Sequence, residues 1–300
     1  MESTIYQKKK DEINSVEEAY NLCEKIGTEH YENFTVVSRL IPQKYRKHIY
    51  ALYAYSRYTD DLGDELKGNR LKALDQWEKE LTKCFEEDTQ PEHPILMALR
   101  ETVKNIEIEK TPFLKLIEAN RMDQQKDRYE TYDDLLEYCD HSANPVGRVF
   151  LAIFGYHDER RRNLSDKTCT GLQLTNFWQD VWRDYKMGRV YIPEEDMKRF
   201  GYSRSQIADR NYNEKFVSLM KLEVSRARKL LEEGLKLPST LDGRSSLDVE
   251  LFNRGGLAIL DKIEEINYNV LNERPTLSRA EKVKLFLTSY LKSFIPVSSK

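Results

Sequence analysis

Apolar residues recur at spacings of three and four along almost the whole chain, which restricts it to packed amphipathic helices. Val16, Ala19, Tyr20, Cys23 and Ile26 form the first stripe, headed by Ser15-x-x-Glu18, a capping box in which each side chain satisfies the other's backbone amide. Ile49, Leu52 and Tyr53, with Ala54 beside them, continue the pattern toward Leu62. Further helices are predicted near 70–87, 94–105, 112–128, 132–139, 146–157, 165–186, 213–235, 246–272 and 279–292. Thr111-Pro112 reads as an N-cap followed by proline at the first helical position, and Thr131-x-x-Asp134 and Ser278-x-x-Glu281 repeat the capping box. Only Arg189 to Pro193 reads as a short extended piece. With 12 glycines and 9 prolines in 300 residues, against roughly 12% in average usage, little interrupts these stripes. The expectation is an all-α protein, a single domain over 1–300 of about ten helices around a central cavity, with ragged ends at about 1–14 and 294–300.

Several function classes drop out. Lys plus Arg number 48 and Asp plus Glu 51, a formal charge of −3, so the overall balance offers nothing to a nucleic acid. Cys23, Cys84, Cys139 and Cys169 are far apart with no Cys-x-x-Cys pair, which suits reduced core thiols in a cytoplasmic protein. The five histidines lack metal-ligand spacing, and neither a Gly-x-Gly-x-x-Gly nor a Gly-Lys-Ser/Thr nucleotide loop is present. The most apolar windows, 149–156 and 285–291, fall far short of the ~20 residues that span a bilayer.

Chemistry concentrates in two acidic segments. Asp60, Asp61, Asp64 and Glu65 follow an apolar stripe, and Asp60 and Asp64, four apart, share a helix face. Like charges at that spacing destabilise a helix by about 0.2–0.5 kcal/mol unless a cation intervenes; in isolation such a cluster also describes a solvated helix end. The second segment weighs against that. Asn176, Asp180 and Asp184 fall at i, i+4 and i+8, on a helix whose other sides carry Phe177, Trp178, Val181, Trp182 and Tyr185. A helix apolar around its circumference is buried, and buried carboxylates need partners or metal. Two such ladders in one bundle can face each other across a cavity. Oxygen donors with few usable His or Cys point to Mg²⁺, with Mn²⁺ as a substitute, and Mg²⁺ completes its shell with waters and phosphate oxygens. The implied ligand is a diphosphate. Arg57, one turn before Asp60, and Arg189 and Tyr191 after Asp184 are placed to assist. Asp123 and Asp127 alternate with Lys126 and Arg128, which suits a salt-bridged face or a third phosphate-facing element. Repulsion along the ladders predicts that neutralising Asp180 stabilises the metal-free protein.

At these residues the chain resembles the squalene and phytoene synthase family, all-helical enzymes acting on long isoprenoid diphosphates. Asp60-Asp61-x-x-Asp64 looks like the family's first aspartate-rich motif, and Asn176-x-x-x-Asp180-x-x-x-Asp184 like its second, with Gly188-Arg189-Val190-Tyr191-Ile192-Pro193 as its tail. The likeness runs from about His30 to Arg274. Within the family, His30 to Phe34, Tyr138 to Gly147, Leu174 to Asp180 and Leu257 to Ile263 look like the bacterial hydroxysqualene synthases of hopanoid biosynthesis. Phytoene and dehydrosqualene synthases usually carry Arg where Gln179 stands and a Ser-Lys-Ser-Phe type sequence at Tyr31 to Phe34.

The resemblance implies a reaction in which presqualene diphosphate ionises, the cation rearranges, and water captures it as hydroxysqualene. It implies Mg²⁺ ligation by Asp60, Asp64, Asn176, Asp180 and Asp184, with Asp61 a weaker ligand, and contacts to diphosphate or prenyl chain from His30, Tyr53, Arg57, Gln173, Tyr191 and Arg274. Tyr138 would line the cavity near the cation. Gln179, a neutral amide that both donates and accepts, is a candidate to orient the quenching water or a simple polar helix contact. No NADPH requirement is expected without a dinucleotide fingerprint. So apolar a substrate implies peripheral contact with the inner membrane face and handover to other isoprenoid pathway enzymes. The nearer alternative joins two farnesyl diphosphates into presqualene diphosphate or squalene; the distant one is a non-catalytic helical assembly factor.

Overall fold

The computed structural model describes residues 13, 15–29 and 41–292. Among them the chain is α-helical, with two 3-10 turns and a single isolated β-bridge. It forms two compact units, residues 1–125 with 145–158, and residues 126–144 with 159–300.

In the first unit, α1 (Val16–Glu29), α2 (Gln43–Asp64), α3 (Arg70–Thr82), α4 (Pro94–Asn105) and α5 (Thr111–Gln125) are followed by α7 (Asn144–Ile153), which enters the unit at Pro145. The Ser15/Glu18 capping box forms at the head of α1. Helix α2 packs on α1, α3, α4 and α5. Aromatic residues can be buried only when their polar ends find partners. Tyr55, fully buried, donates to the Phe113 carbonyl at 2.9 Å and stacks on Trp77. Thr59, one turn on, donates to the Tyr55 carbonyl and accepts from the Trp77 indole at 2.9 Å. Tyr55 and Thr59 therefore commit one face of α2 to the core, and the acids that follow Thr59 project from other sides. His48 is a core histidine: it bonds to Thr102 at 3.0 Å, and burial lowers its pKa to about 4.

The second unit contains α6 (Tyr132–Ser142), α8 (Glu159–Lys186), α9 (Glu194–Phe200), α10 (Arg204–Ala208), α11 (Glu214–Gly234), α12 (Gly243–Glu265) and α13 (Arg279–Lys292). Helix α8 is its axis, packed by α6, α11 and α12 through Leu174, Phe177, Trp178 and Val181. Gly234 permits the closest approach: a Cβ there would lie 2.4 Å from Thr168 Oγ1 and 2.6 Å from Asn253 Oδ1. Those two residues hydrogen-bond across α8 and α12, Asn253 Nδ2 donating to Thr168 at 3.1 Å. Capping boxes form at Thr131/Asp134 and Ser278/Glu281 as the sequence predicts.

Most helix positions agree with the periodicity, with instructive exceptions. The short helices α9 and α10, of 7 and 5 residues, are below the length at which a 3.6-residue stripe becomes visible. Helix α12 stops at Glu265 instead of near 272, because Asn267 and Tyr268 take left-handed backbone conformations (φ 50° and 63°). The extended piece at 189–193 contains the β-bridge: Arg128 pairs with Val190, whose amide donates to the Asp127 carbonyl at 2.9 Å.

Three acids of the second unit, Asp196, Glu223 and Asp248, are sealed in its interior. Glu223 shares Arg226 with Asp196, the guanidinium also lying over the Tyr132 ring, and burial pushes the Glu223 pKa up to about 8. Asp248 is fully buried with neither carboxylate oxygen hydrogen-bonded, and burial raises its pKa from 3.8 to about 7. The folded state thus holds the Asp248 proton more tightly than the unfolded chain, so this residue's contribution to stability falls as pH rises from about 4 to about 7. Asp248→Asn should raise unfolding free energy at pH 8 by on the order of 2–4 kcal/mol while changing it little at pH 4, measured by urea denaturation. An equal effect at both pH values would refute this account.

Candidate functional site

In the first unit, α2 presents Tyr53, Arg57, Asp60, Asp61 and Asp64. Arg57, one turn before Asp60, pulls on that carboxylate from a distance but bonds elsewhere. Its Nη2 contacts Asp61 at 2.9 Å and Glu65 at 3.0 Å, an i, i+4 pair extended by one turn. Asp60 is instead held from α5, where Asn120 Nδ2 donates to Asp60 Oδ1 at 3.1 Å. Gly63 makes room for this contact, since a Cβ there would lie 2.1 Å from Asn120 Oδ1, and the Gly63 carbonyl accepts from Gln124 at 3.0 Å. Solvent reaches Asp60, yet the protein around it displaces enough water to raise its pKa to about 7; the Asn120 bond pulls the other way and Asp64 adds repulsion. Asp64 is exposed and Tyr53 half-buried.

Sequence reading missed Asn120 and Gln124. The signal was there: Asn120 falls in register with Phe113, Leu116 and Ile117, a polar residue on an apolar stripe. Of the neighbouring charges, Arg121 pairs with Asp75, Glu78 and Glu118, and Asp127 with Arg204, which is the salt-bridged reading of that segment.

In the second unit, α8 carries Gln173, Asn176, Gln179, Asp180 and Asp184. Helix α8 is not buried all round: Asn176 is exposed, and Gln173, Asp180 and Asp184 are half-buried. Arg274 grips Asp180 with a two-pronged fork, Nε to Oδ1 at 2.6 Å and Nη2 to Oδ2 at 2.9 Å. Arg183 lies 3.5 Å from the same carboxylate. This corrects the expectation that neutralising Asp180 stabilises the metal-free protein, because the relief of its repulsion on Asp184 comes at the loss of the Arg274 fork. Asp184 carries the uncompensated charge: burial, and then repulsion from Asp180, raise its pKa to about 7 against the pull of Arg189, Arg183 and Arg274. Gln179 is buried and donates to the Pro275 carbonyl. Consecutive residues of α8 thereby hold consecutive residues of the returning chain, Gln179 on Pro275 and Asp180 on Arg274.

Aromatic rings pack against the same stretch of α8. Tyr191 stacks on Phe177 with centroids 3.7 Å apart and planes 9° from parallel. Tyr138 lies 5.9 Å from Tyr191 and 6.2 Å from Phe177, and Tyr129 stacks on Tyr191 at 5.8 Å. The bridge between 128 and 190 sets Tyr129 beside Tyr191, for the Glu194 amide continues the pairing onto the Tyr129 carbonyl. His30, a predicted substrate contact, lies outside the described residues. Among the described residues no three acidic, His or Cys side chains converge into a ready-made metal cage. On each helix taken by itself the donors are hard oxygens, and Asp60 on α2 and Asp184 on α8 are each accessible carboxylates whose repulsion by a neighbouring acid a divalent cation would relieve, so each donor set fits Mg²⁺ held by a few carboxylates together with waters and a diphosphate.

Comparison with known proteins converges on one family. The squalene/phytoene synthase family model matches residues 28–281. The chain is 32% identical to phytoene synthase 1 of Solanum lycopersicum over 292 residues, covering 95% of this chain and 70% of that one. It is also 32% identical to 15-cis-phytoene synthase of Synechocystis over 295 residues, covering 93% and 86%. Among solved structures, squalene synthase HpnC from Alicyclobacillus acidocaldarius superposes with a TM-score of 0.81 at 42% identity, over 85% of this chain and 96% of that one. A ligand-bound dehydrosqualene synthase superposes with a TM-score of 0.85 at 27% identity, over 93% and 98%. With its helical architecture and both aspartate motifs, this chain belongs to the squalene/phytoene synthase family.

Proposed function

We propose that this enzyme converts presqualene diphosphate and water to hydroxysqualene and diphosphate, working as one isoprenoid synthase domain over 1–300. The observation that supports it most is the aromatic wall of Tyr138, Phe177 and Tyr191 packed on the helix that carries Asn176, Asp180 and Asp184. Diphosphate departs as an anion and leaves a carbocation, so the chemistry needs electrostatic clamps at one end and unreactive π faces at the other. The 42% identity to squalene synthase HpnC, together with Gln179 where phytoene synthases usually carry arginine, favours this subgroup.

Asp60, Asp64, Asn176, Asp180 and Asp184, with Asp61 a weaker ligand, would hold Mg²⁺, which when bound supplies Lewis acidity to the diphosphate oxygens. Arg57 and Arg274 add fixed positive charge for the departing group, and Tyr53, Gln173 and His30 contact diphosphate or prenyl chain. As the carbon–oxygen bond breaks, its electron pair leaves with the diphosphate. Tyr138 and Tyr191 offer ring faces to the cation and exclude bulk water until one water adds and loses a proton. Gln179, bonded to Pro275, acts chiefly by fixing the approach of Arg274 to Asp180. A second reading, head-to-head condensation of two prenyl diphosphates, is favoured by the 32% identity to phytoene synthases.

Product analysis separates the two. Purified protein given presqualene diphosphate, Mg²⁺ and oxygen-18 water should release a labelled C30 alcohol with or without NADPH, and chelation should abolish turnover. A hydrocarbon product from farnesyl diphosphate, with no labelled alcohol, would establish the second reading.

Asp184→Asn should lower kcat by about a hundredfold or more, yet leave the metal-free melting temperature unchanged or higher, since it removes an uncompensated charge. A lower melting temperature with activity retained would make Asp184 structural.

Asn120→Ala removes the bond that lowers the Asp60 pKa, so Asp60 should ionise at higher pH. The acidic limb of the pH–rate profile should shift upward, with kcat reduced about tenfold at pH 7; an unshifted limb would exclude this positioning role.

A further inference from the structure

Six large hydrophobic side chains stand exposed among the described residues, and three of them, Val283, Leu287 and Tyr290, belong to α13. They are 58%, 52% and 37% exposed and lie at i, i+4 and i+7, within an arc of about 60° around the helix. Ala280 extends the same stripe and is likewise exposed. The opposite side of α13 packs on α12: Ser289 is fully buried, and Glu281 reaches back to Lys262 at 2.8 Å. Phe286 stacks on Tyr290 and supports one edge of the stripe.

Cations border this stripe. On the helical wheel Arg279 falls at the Tyr290 edge and Lys284 at the Leu287 edge, both exposed, with Lys282 exposed farther round. Glu281, the one acid of α13, is engaged with Lys262 on the packed side. The exposed surface of this helix is therefore apolar in the middle and positive at both margins, on a chain whose overall charge is −3. That local reversal is the charge pattern of a helix lying in a membrane interface, where the apolar face enters the acyl boundary and the bases meet anionic headgroups.

The position of α13 also matters. Gln179 and Asp180 pin Pro275 and Arg274 to α8, and Ser278, four residues after Arg274, opens α13 with its capping box. Four residues of chain span at most about 14 Å, so the N-cap of α13 lies within that distance of the Arg274 backbone.

We propose that the Val283–Leu287–Tyr290 face of α13 docks this protein on an anionic lipid bilayer. The proposal deepens the functional reading only in that a C30 isoprenoid partitions into the same bilayer, and docking by α13 does not depend on which isoprenoid is processed.

Cosedimentation with vesicles tests it directly. The full-length wild type should bind vesicles of equimolar phosphatidylcholine and phosphatidylglycerol, bind phosphatidylcholine alone at least about tenfold more weakly, and be released by salt. Val283→Asp combined with Leu287→Asp should reduce binding to anionic vesicles at least about tenfold, because each places a charge where the apolar face would insert. Arg279→Glu combined with Lys284→Glu should abolish the preference for anionic lipid. All four side chains are exposed, so the variants should keep the wild-type melting temperature, and a variant that melts early is replaced by Leu287→Ser alone. Wild-type protein that ignores vesicles, or a Val283/Leu287 variant that binds them equally well, overturns the proposal. So does a wild-type dimer that the aspartates convert to monomer, which would give the face to a second copy of the chain. Turnover in detergent, assayed in parallel, reports on the reaction separately: lost vesicle binding with intact turnover, or the converse, shows which of the two readings has failed.

Discussion

Carboxylates set one turn apart on a packed helix repel one another and lose hydration, and the acid-bearing helices α2 and α8 are each built around that cost. Each answers it locally. On α2, Arg57 takes Asp61 and Asn120 takes Asp60; on α8, Arg274 and Arg183 take Asp180. The compensation stops short in both helices, leaving Asp60 and Asp184 with pKa values near 7, held up by burial and by the neighbouring acid. Their incomplete neutralisation would leave each helix receptive to a divalent cation with an anionic ligand, as the proposed function requires.

A raised carboxylate pKa is not by itself a sign of function here. Four acids, Asp60, Asp184, Glu223 and Asp248, are pushed up by burial. Glu223 and Asp248 are sealed from solvent, the first tied to Arg226 and the second without a hydrogen bond. Asp60 and Asp184 keep contact with solvent and stand beside further acids. Accessibility and company, not the size of the shift, separate groups poised for chemistry from groups the fold tolerates at a cost in stability.

The helical class was legible because apolar spacing and scarce breakers act over many residues, and because three capping boxes announce their helices within four residues. The ladders were legible for the same reason, since i, i+4 spacing is a one-dimensional record of a shared face. What the sequence concealed is what crosses between helices. Nothing near Arg57 says that it will prefer Asp61 and Glu65 to Asp60, because three acids lie within reach and local packing chooses. The hold of Asn120 on Asp60 spans sixty residues of sequence and depends on the absence of a side chain at Gly63, two facts that no single helix contains. Helices α9 and α10 escaped because they are shorter than the period that would reveal them.

Gln179 shows how the two levels combine. In sequence it is a neutral amide in a charged motif, and its chemistry suits either a bound water or a packing contact. Burial decides the energetics: a sealed amide that left its donors unmade would cost about 1–3 kcal/mol, and the Pro275 carbonyl removes that cost. Because Pro275 follows Arg274 directly, the same hydrogen bond restricts where the guanidinium can go, so that its fork meets both oxygens of Asp180. An arginine at position 179 would bring a third guanidinium group to a carboxylate that Arg274 and Arg183 already share. The neutral residue leaves Asp180 to Arg274 and Arg183, and thereby ties the charge balance of α8 to the path of the chain leading into α13.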